Sequence, residues 1–283
     1  MSGTAQPATG APQVSVVMTS YQDPWPRLQR AIDRILQQSF RDLEILVAFE
    51  PADPNADRAL ERYSDSRLVV LKNPQRKGMA GSFNYCLEHA RGRYIARMDS
   101  DDAACPERIE KELAFLARRP DVDIVGGGTV IIDESGRPIA ERLFPAEHDD
   151  IIRHFALQCP ISHPTVMWDT DKIGHIRYDP MFSVEDVELW MRLLSQGRRF
   201  ANIPEHLIEK QQTNELRRPM RNWRSNARVR LVYWRLALRY PSLLFGILLF
   251  SGLALMPKFI VDVVTRRSRF SDTIRAIRKL DAV

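Results

Sequence analysis

The 283-residue chain has little cysteine: Cys86, Cys105 and Cys159 are scattered and odd in number. No two have metal-ligand spacing, so the sequence argues against a disulfide framework and predicts a reducing compartment. Met1–Gln13 has neither a basic n-region nor an apolar h-region, and reads as a flexible tail rather than a signal peptide. There is no G-x-G-x-x-G and no G-x-x-x-x-G-K-[ST], which removes the dinucleotide fingerprint and the P-loop. Internal repeats are absent, and so is low complexity beyond the N-terminal tail. Long uncharged runs are scarce too. Tyr240–Pro257 stands at the lower edge of a membrane-spanning length and is bracketed by Pro241 and Pro257.

What remains is ordinary globular material, 44% hydrophobic and 27% charged, in one large or two small domains. The net charge is +5, with much of the excess after Leu216. That charge suits nucleic acid, anionic lipid or phosphorylated substrates equally. Apolar runs at Val14–Thr19, Leu43–Phe49 and Leu68–Leu71 predict strands. Between them, Leu28, Ala31, Ile32, Ile35 and Leu36 recur at helical spacing, and helices are expected around Ala56–Tyr63 and Ala80–Ala90. This alternation predicts an α/β fold with a mainly parallel central sheet flanked by helices. A helix over Pro106–Arg118, a strand over Asp123–Ile132 and a helix over Val184–Gln196, closed by Gly197, extend the pattern. Gly126-Gly127-Gly128 inside a strand predicts a bulge or a close approach of ligand backbone.

The densest chemical signal is Tyr94-Ile95-Ala96-Arg97-Met98-Asp99-Ser100-Asp101-Asp102, an apolar strand running into three carboxylates. Open α/β sheets bind ligands beyond the carboxyl ends of their strands. Carboxylates crowded there repel one another unless a cation sits between them. Hard divalent cations take such oxygens and are completed by substrate phosphates, so the stretch reads as a metal–diphosphate site. The plain alternative, that Asp101 and Asp102 cap the helix that Pro106 starts, would account for one of the three carboxylates but not for all. Glu185-Asp186 is a second carboxylate pair, at a helix start. Lys77, just before a helix N-terminus, makes an anion site. Arg97 is placed to reach a donor or to hold a carboxylate, and His163 precedes a strand whose end faces the same cleft.

Together these segments resemble the family 2 glycosyltransferases of the GT-A fold. The match runs from Val14–Tyr21 through Asn73, Lys77-Gly78 and Asn84, then Ala96–Asp102 with Pro106-Glu107-Arg108, to Glu185–Leu193. The resemblance implies a nucleotide-sugar donor, UDP-linked, and a divalent cation, Mn²⁺ or Mg²⁺, on Asp99 and Asp101. It also implies inversion at the anomeric carbon, with Asp186 as general base and Glu185 as the close rival. Thr19, Tyr21, Glu50, Lys77, Arg97, Asp99 and His163 fall on the donor side. Glu50 departs from the family's Asp-Asp pair: here Phe49-Glu50 precedes Pro51, which moves the carboxylate by one methylene. A nucleotidyltransferase would carry a Gly-rich basic signature after the first strand, where this chain has Ser20-Tyr21-Gln22-Asp23-Pro24. A basic membrane adaptor would leave both carboxylate clusters unused.

The chain thus divides into a tail, 1–12, a catalytic domain, 13–216, and a basic, partly apolar helical extension, 217–283. In the extension, Arg221, Trp223, Arg224, Arg228, Arg230, Trp234 and Arg239 suit a membrane interface. The expectation is a membrane-associating segment, outside the catalytic core, that lies in one leaflet at the cytoplasmic face of the inner membrane. A single span is the runner-up, and an ordinary packed helix the plain alternative. The expected acceptor is a lipid-linked or other glycan of cell-surface polysaccharide or lipopolysaccharide assembly, and nucleic acid is not an expected partner.

Overall fold

The computed structural model describes residues 10–133, 135–174, 176–211 and 220–256. The expected tail over 1–9, the 216/217 boundary and the basic segment Arg266–Lys279 lie outside them. Strands β1 (Val14–Ser20), β2 (Leu43–Phe49), β3 (Leu68–Lys72) and β4 (Tyr94–Arg97) form a parallel unit in the order β3-β2-β1-β4. Val16 is level with Ile45 on one side and Ala96 on the other. Strand β1 alternates its side chains between two layers. Val14, Val16 and Met18 pack with Leu28, Ala31, Ile32 and Ile35 of α1 (Trp25–Leu36). Val17 packs with Phe83, Cys86 and Leu87 of α3 (Gly78–His89), while the short α2 (Asn55–Arg62) adds Ala56 and Ala59 to the α1 layer. Every residue of β2 is buried, which is why it reads as an unbroken apolar run.

The second half departs from simple alternation. Beyond β4 the chain forms β5 (Asp102–Ala104), α4 (Arg108–Arg118), β6 (Ile124–Ile132), β7 (Pro138–Arg142) and α5 (His148–Phe155). Then come β8 (Met167–Asp169), α6 (Thr170–Ile173), α7 (Glu185–Ser195) and β9 (Phe200–Gln211). Strand β8 inserts antiparallel between β4 and β6; β9 runs parallel to β6, and β5 closes antiparallel onto β9. The sheet is therefore a parallel unit continued by a mixed one. The strand expected to end at Asp99 ends at Arg97, and the acidic stretch becomes the turn into β5. The triple glycine does produce a bulge: the β6–β9 register shifts on both sides of Gly128. Other parts of the chain approach its glycines closely. A Cβ on Gly127 would meet Leu207 Cγ at 2.6 Å, and one on Gly126 would meet Asn202 Oδ1 at 2.7 Å.

The extension forms α8 (Met220–Val232), α9 (Leu236–Arg239) and α10 (Ser242–Leu255). It is docked on the sheet domain. Arg230 Nη2 donates to Phe155 O at 2.7 Å, and its guanidinium lies 4.2 Å from the Phe250 ring centre. Tyr233 donates its hydroxyl to Glu188 at 2.8 Å, and Ser183 N donates to Ser225 Oγ at 3.1 Å. Among the described residues no helix is long and apolar enough to cross a membrane. One face of α10, Leu243, Gly246, Phe250 and Leu253, is buried, while Leu244, Phe245 and Leu248 stay exposed. A Cβ on Gly246 would meet Ala156 O at 2.8 Å and Ala156 Cα at 3.0 Å, so backbone approaches backbone there. Gly246→Val should lower the unfolding free energy by the cost of overpacking, about 1–3 kcal/mol, read as a lower midpoint in urea. An unchanged midpoint would show that α10 is not seated on α5.

Candidate active site

The candidate residues gather at the carboxyl ends of β1, β2 and β4. At the end of β2, Glu50 is buried and its carboxylate accepts from Ser82 Oγ (2.6 Å), Asn73 Nδ2 (3.3 Å) and Lys77 N (3.1 and 3.2 Å). Glu50 thereby fixes the Lys77 loop against the sheet. Lys77 precedes α3, its ammonium 5.1 Å from the Tyr85 ring centre. At the end of β1, Thr19 is half-buried, and Tyr21 is exposed beneath the Arg76 guanidinium, 5.2 Å from its ring centre. The turn that follows places the non-glycine Gln22 at φ 54°, and its N–H donates to buried Asp53 at 2.8 Å. Asp53 also accepts from Ser20 Oγ at 3.3 Å. Asp53 is a site-shaping residue that pattern alone does not reveal.

At the end of β4 the three carboxylates come together: Asp99, Asp101 and Asp102 each offer an oxygen within 4.8 Å of the others. Arg97 is buried, pairs with Asp99 at 2.6 Å and lies 4.7 Å from the Phe83 ring centre. It holds a carboxylate, one of its two expected uses. The turn is anchored from behind by Arg108, fully buried, which donates to Arg97 O at 2.8 Å and to Glu112 at 3.0 Å. Lys210 of β9 stands opposite Asp102 in the β5–β9 register and points inward, 3.5 Å from Asp102 and 3.8 Å from Asp99. Sequence reasoning missed Lys210, because only strand pairing across more than a hundred residues brings it there. Burial opposes ionisation of Asp99, yet Arg97 and Lys210 hold its carboxyl at about 2. Asp102 is different. Burial pushes it up to about 7 against the pull of Lys210, and neither of its oxygens has a hydrogen-bond partner in the described structure.

The second carboxylate pair sits at the N-terminus of α7. Burial, then repulsion from Asp186, pushes Glu185 up to about 7. Asp186 accepts from Val187 N at 2.8 Å. His163, in a 3₁₀ turn before β8, is packed among Phe83, Tyr178 and Trp190, its Nε2 2.8 Å from the Tyr178 hydroxyl. Burial, then the Arg97 charge, hold His163 well below the ordinary imidazole range. It is a neutral group behind the acidic cluster. Between the start of α3 and the start of α7 opens a cleft of about 490 Å³, lined by Lys77, Met79, Phe182, Glu185, Arg224 and Arg228. Helix α8 is thus a wall of the cleft, although the extension was expected to stand outside the catalytic core.

The glycosyl transferase family 2 model matches residues 15–168, more than half the chain. The chain belongs to glycosyl transferase family 2. It is 27% identical over 263 residues to the amylovoran biosynthesis glycosyltransferase AmsE of Erwinia amylovora, covering 90% of this chain and 98% of that one. It is 28% identical over 184 residues to WfgD of Escherichia coli, a UDP-Glc:α-D-GlcNAc-diphosphoundecaprenol β-1,3-glucosyltransferase, covering 65% and 70%. Two solved structures share its fold. The mannosyltransferase PcManGT of Pyrobaculum calidifontis, with GDP-Man and Mn²⁺, aligns at TM-score 0.58 and 15% identity over 93% of this chain and 81% of that one. S. aureus TarS with UDP-GlcNAc aligns at 0.59 and 16% over 77% and 66%, so the chain spans just under two thirds of that protein. The protein is a glycosyltransferase with the α/β architecture of these neighbours.

In this glycosyltransferase the burial of Asp102, without a hydrogen-bond partner among the described residues, has a measurable consequence. Between the ordinary carboxylate range and about pH 7, the folded protein keeps a proton on Asp102 that the unfolded chain has released. The contribution of Asp102 to stability therefore falls as pH rises through that window. Asp102→Asn should raise the unfolding free energy of chelator-treated protein at pH 8 by on the order of 1–3 kcal/mol, read as a higher thermal midpoint, with little gain at pH 5. Equal shifts at both pH values would contradict the assignment.

Proposed function

We propose that the chain is an inverting, divalent-cation-dependent transferase that moves a sugar from a UDP-sugar to a hydroxyl of a lipid-linked glycan in cell-surface polysaccharide or lipopolysaccharide assembly. The observation that carries this reading is the pair of carboxylate clusters: Asp99, Asp101 and Asp102 at the sheet edge, and Glu185 with Asp186 at the start of α7. The acidic triad fits a hard cation, because all its donors are oxygen and the two Asp102 oxygens have no hydrogen-bond partner in the described structure. Asp99 and Asp101 would hold Mn²⁺ or Mg²⁺, which when bound would supply Lewis-acid neutralisation of the leaving diphosphate. Thr19, Tyr21 and Lys77 would face the donor, with Glu50 fixing the Lys77 loop.

The acceptor hydroxyl gives its proton to Asp186 as its oxygen attacks the anomeric carbon. The new C–O bond forms on the face opposite the departing diphosphate, which takes the electron pair of the broken bond, so the configuration inverts. Glu185 is the rival base and Asp186 the favoured one: burial, then repulsion from Asp186, pushes Glu185 up to about 7, which makes it the weaker candidate for an ionised base at neutral pH. The WfgD acceptor is a diphosphate-linked lipid and AmsE serves a polysaccharide, which supports the acceptor class. Asp101→Ala should abolish nucleotide-sugar turnover and Mn²⁺-dependent UDP binding. Asp186→Asn should keep donor binding and lose transfer by at least a hundredfold. Normal turnover in the first would overturn the metal assignment, and full transfer in the second would move the base to Glu185.

The extension supports membrane association at the cytoplasmic face of the cell membrane. Trp234, Leu238, Leu244, Phe245 and Leu248 are exposed on α9, α10 and the turn before α9, close to exposed Arg235 and Arg239. An interfacial helix pairs apolar burial with cations for anionic headgroups. Cosedimentation with phosphatidylglycerol-containing vesicles should drop at least tenfold in a Leu244→Ser/Phe245→Ser/Leu248→Ser variant that still hydrolyses donor. Undiminished sedimentation of that variant would defeat the membrane reading.

A further inference from the structure

The wall of the cleft made by α8 lies beyond the segment matched by the family model. Its two arginines have a different standing from the others nearby. Arg230 is spent on Phe155 O and the Phe250 ring, and Arg192 on Glu188 and Arg177 O. Arg224 and Arg228, one helical turn apart on one face, have no ion-pair or hydrogen-bond partner among the described residues, and both line the cleft. The Arg228 guanidinium rests 5.4 Å from the Phe182 ring centre, which fixes its plane without neutralising it. Lys77 lines the same cleft, and Glu185 is the one carboxylate side chain among the lining residues. Three cations thus converge on an open cleft of about 490 Å³, the size of a small-molecule site.

The cleft is lined by Glu185, the chain neighbour of Asp186, the base proposed to meet the acceptor hydroxyl. The acidic triad does not line it, and its own cation would neutralise the diphosphate of the donor. Guanidinium forks match phosphate oxygens in paired hydrogen bonds. We propose that Arg224 and Arg228 form an acceptor subsite that binds the phosphate or diphosphate joining the acceptor sugar to its carrier. The inference rests on the glycosyl-transfer reading and adds to it a reason for this chain to choose a phosphate-linked acceptor.

The test compares two acceptors with the same sugar, one linked through diphosphate to a short prenyl chain and one an alkyl glycoside without phosphate. In Arg224→Gln/Arg228→Gln the KM for the diphosphate acceptor should rise about 10- to 100-fold with kcat nearly kept, as expected for losing charge-assisted hydrogen bonds. The KM for the alkyl glycoside should stay within about twofold. Arg228→Lys, which keeps the charge and loses the fork, should fall between. Direct titration with farnesyl diphosphate supplies a readout independent of turnover, with binding by the native protein and loss in the double variant. Retained sedimentation of that variant with phosphatidylglycerol vesicles separates this subsite from headgroup binding. Equal loss on both acceptors, or unchanged KM and farnesyl diphosphate binding, would overturn the proposal. Absence of nucleotide-sugar turnover in the native protein would sink the transfer reading instead, and leave the farnesyl diphosphate titration to decide the subsite.

Discussion

The structure is organised around negative charge crowded at one sheet edge. Three carboxylates within 4.8 Å of one another would drive the β4–β5 turn open unless cations were fixed around it. Two buried or half-buried cations do this from different directions: Arg97 from the strand itself and Lys210 from the far strand β9. Arg108 does not touch the carboxylates. It holds the backbone of the turn, and Glu112 balances its charge. Removing one partner of such a buried pair leaves an uncompensated charge, which is far costlier than the pair itself. The antiparallel closure of β5 on β9 is thus part of the electrostatics of the site, since it delivers Lys210.

The second organising feature is the docked extension. Helix α8 contributes to the cleft while its Arg230, and Tyr233 just past its end, bind α5 and α7. Burial lowers the Arg230 guanidinium to about 10, which marks how deeply this contact is set into the domain. The same helix therefore serves as a structural clamp on one face and as a cleft wall on the other. A view of the chain as catalytic domain plus separable anchor misses this, because charge and hydropathy along a helix do not say which neighbour each face meets.

Much of the parallel half was legible in the sequence. Leu43–Phe49 is buried on both faces and reads as one apolar run, and the spacing of Leu28, Ala31, Ile32 and Ile35 is the face that α1 presents to β1. The acidic cluster and the Glu185-Asp186 pair could be found because their chemistry is local. The rest depends on long-range register. Strand β8 has three residues, too few for a period, and its antiparallel insertion follows from pairing with β4 and β6. Lys210 and Asp53 sit in unremarkable sequence and gain meaning only from Asp102 and from the Gln22 backbone. Glu50 was legible as a cleft carboxylate, but its four hydrogen bonds to the Lys77 loop and α3 depend on the packing of β2 against α3.

Helix α10 packs on α8, and α8 faces the cleft. A helix is about 10 Å across with its side chains. With a bilayer under the exposed Leu244, Phe245 and Leu248 face, the reacting groups would stand about one helix above the headgroups. A carrier-borne sugar would then meet the enzyme at a set height, its chain still dissolved in the acyl layer. The stacking of α10 beneath α8 would act as a gauge, admitting acceptors whose sugar stands that far from the lipid and passing over those held closer or farther out.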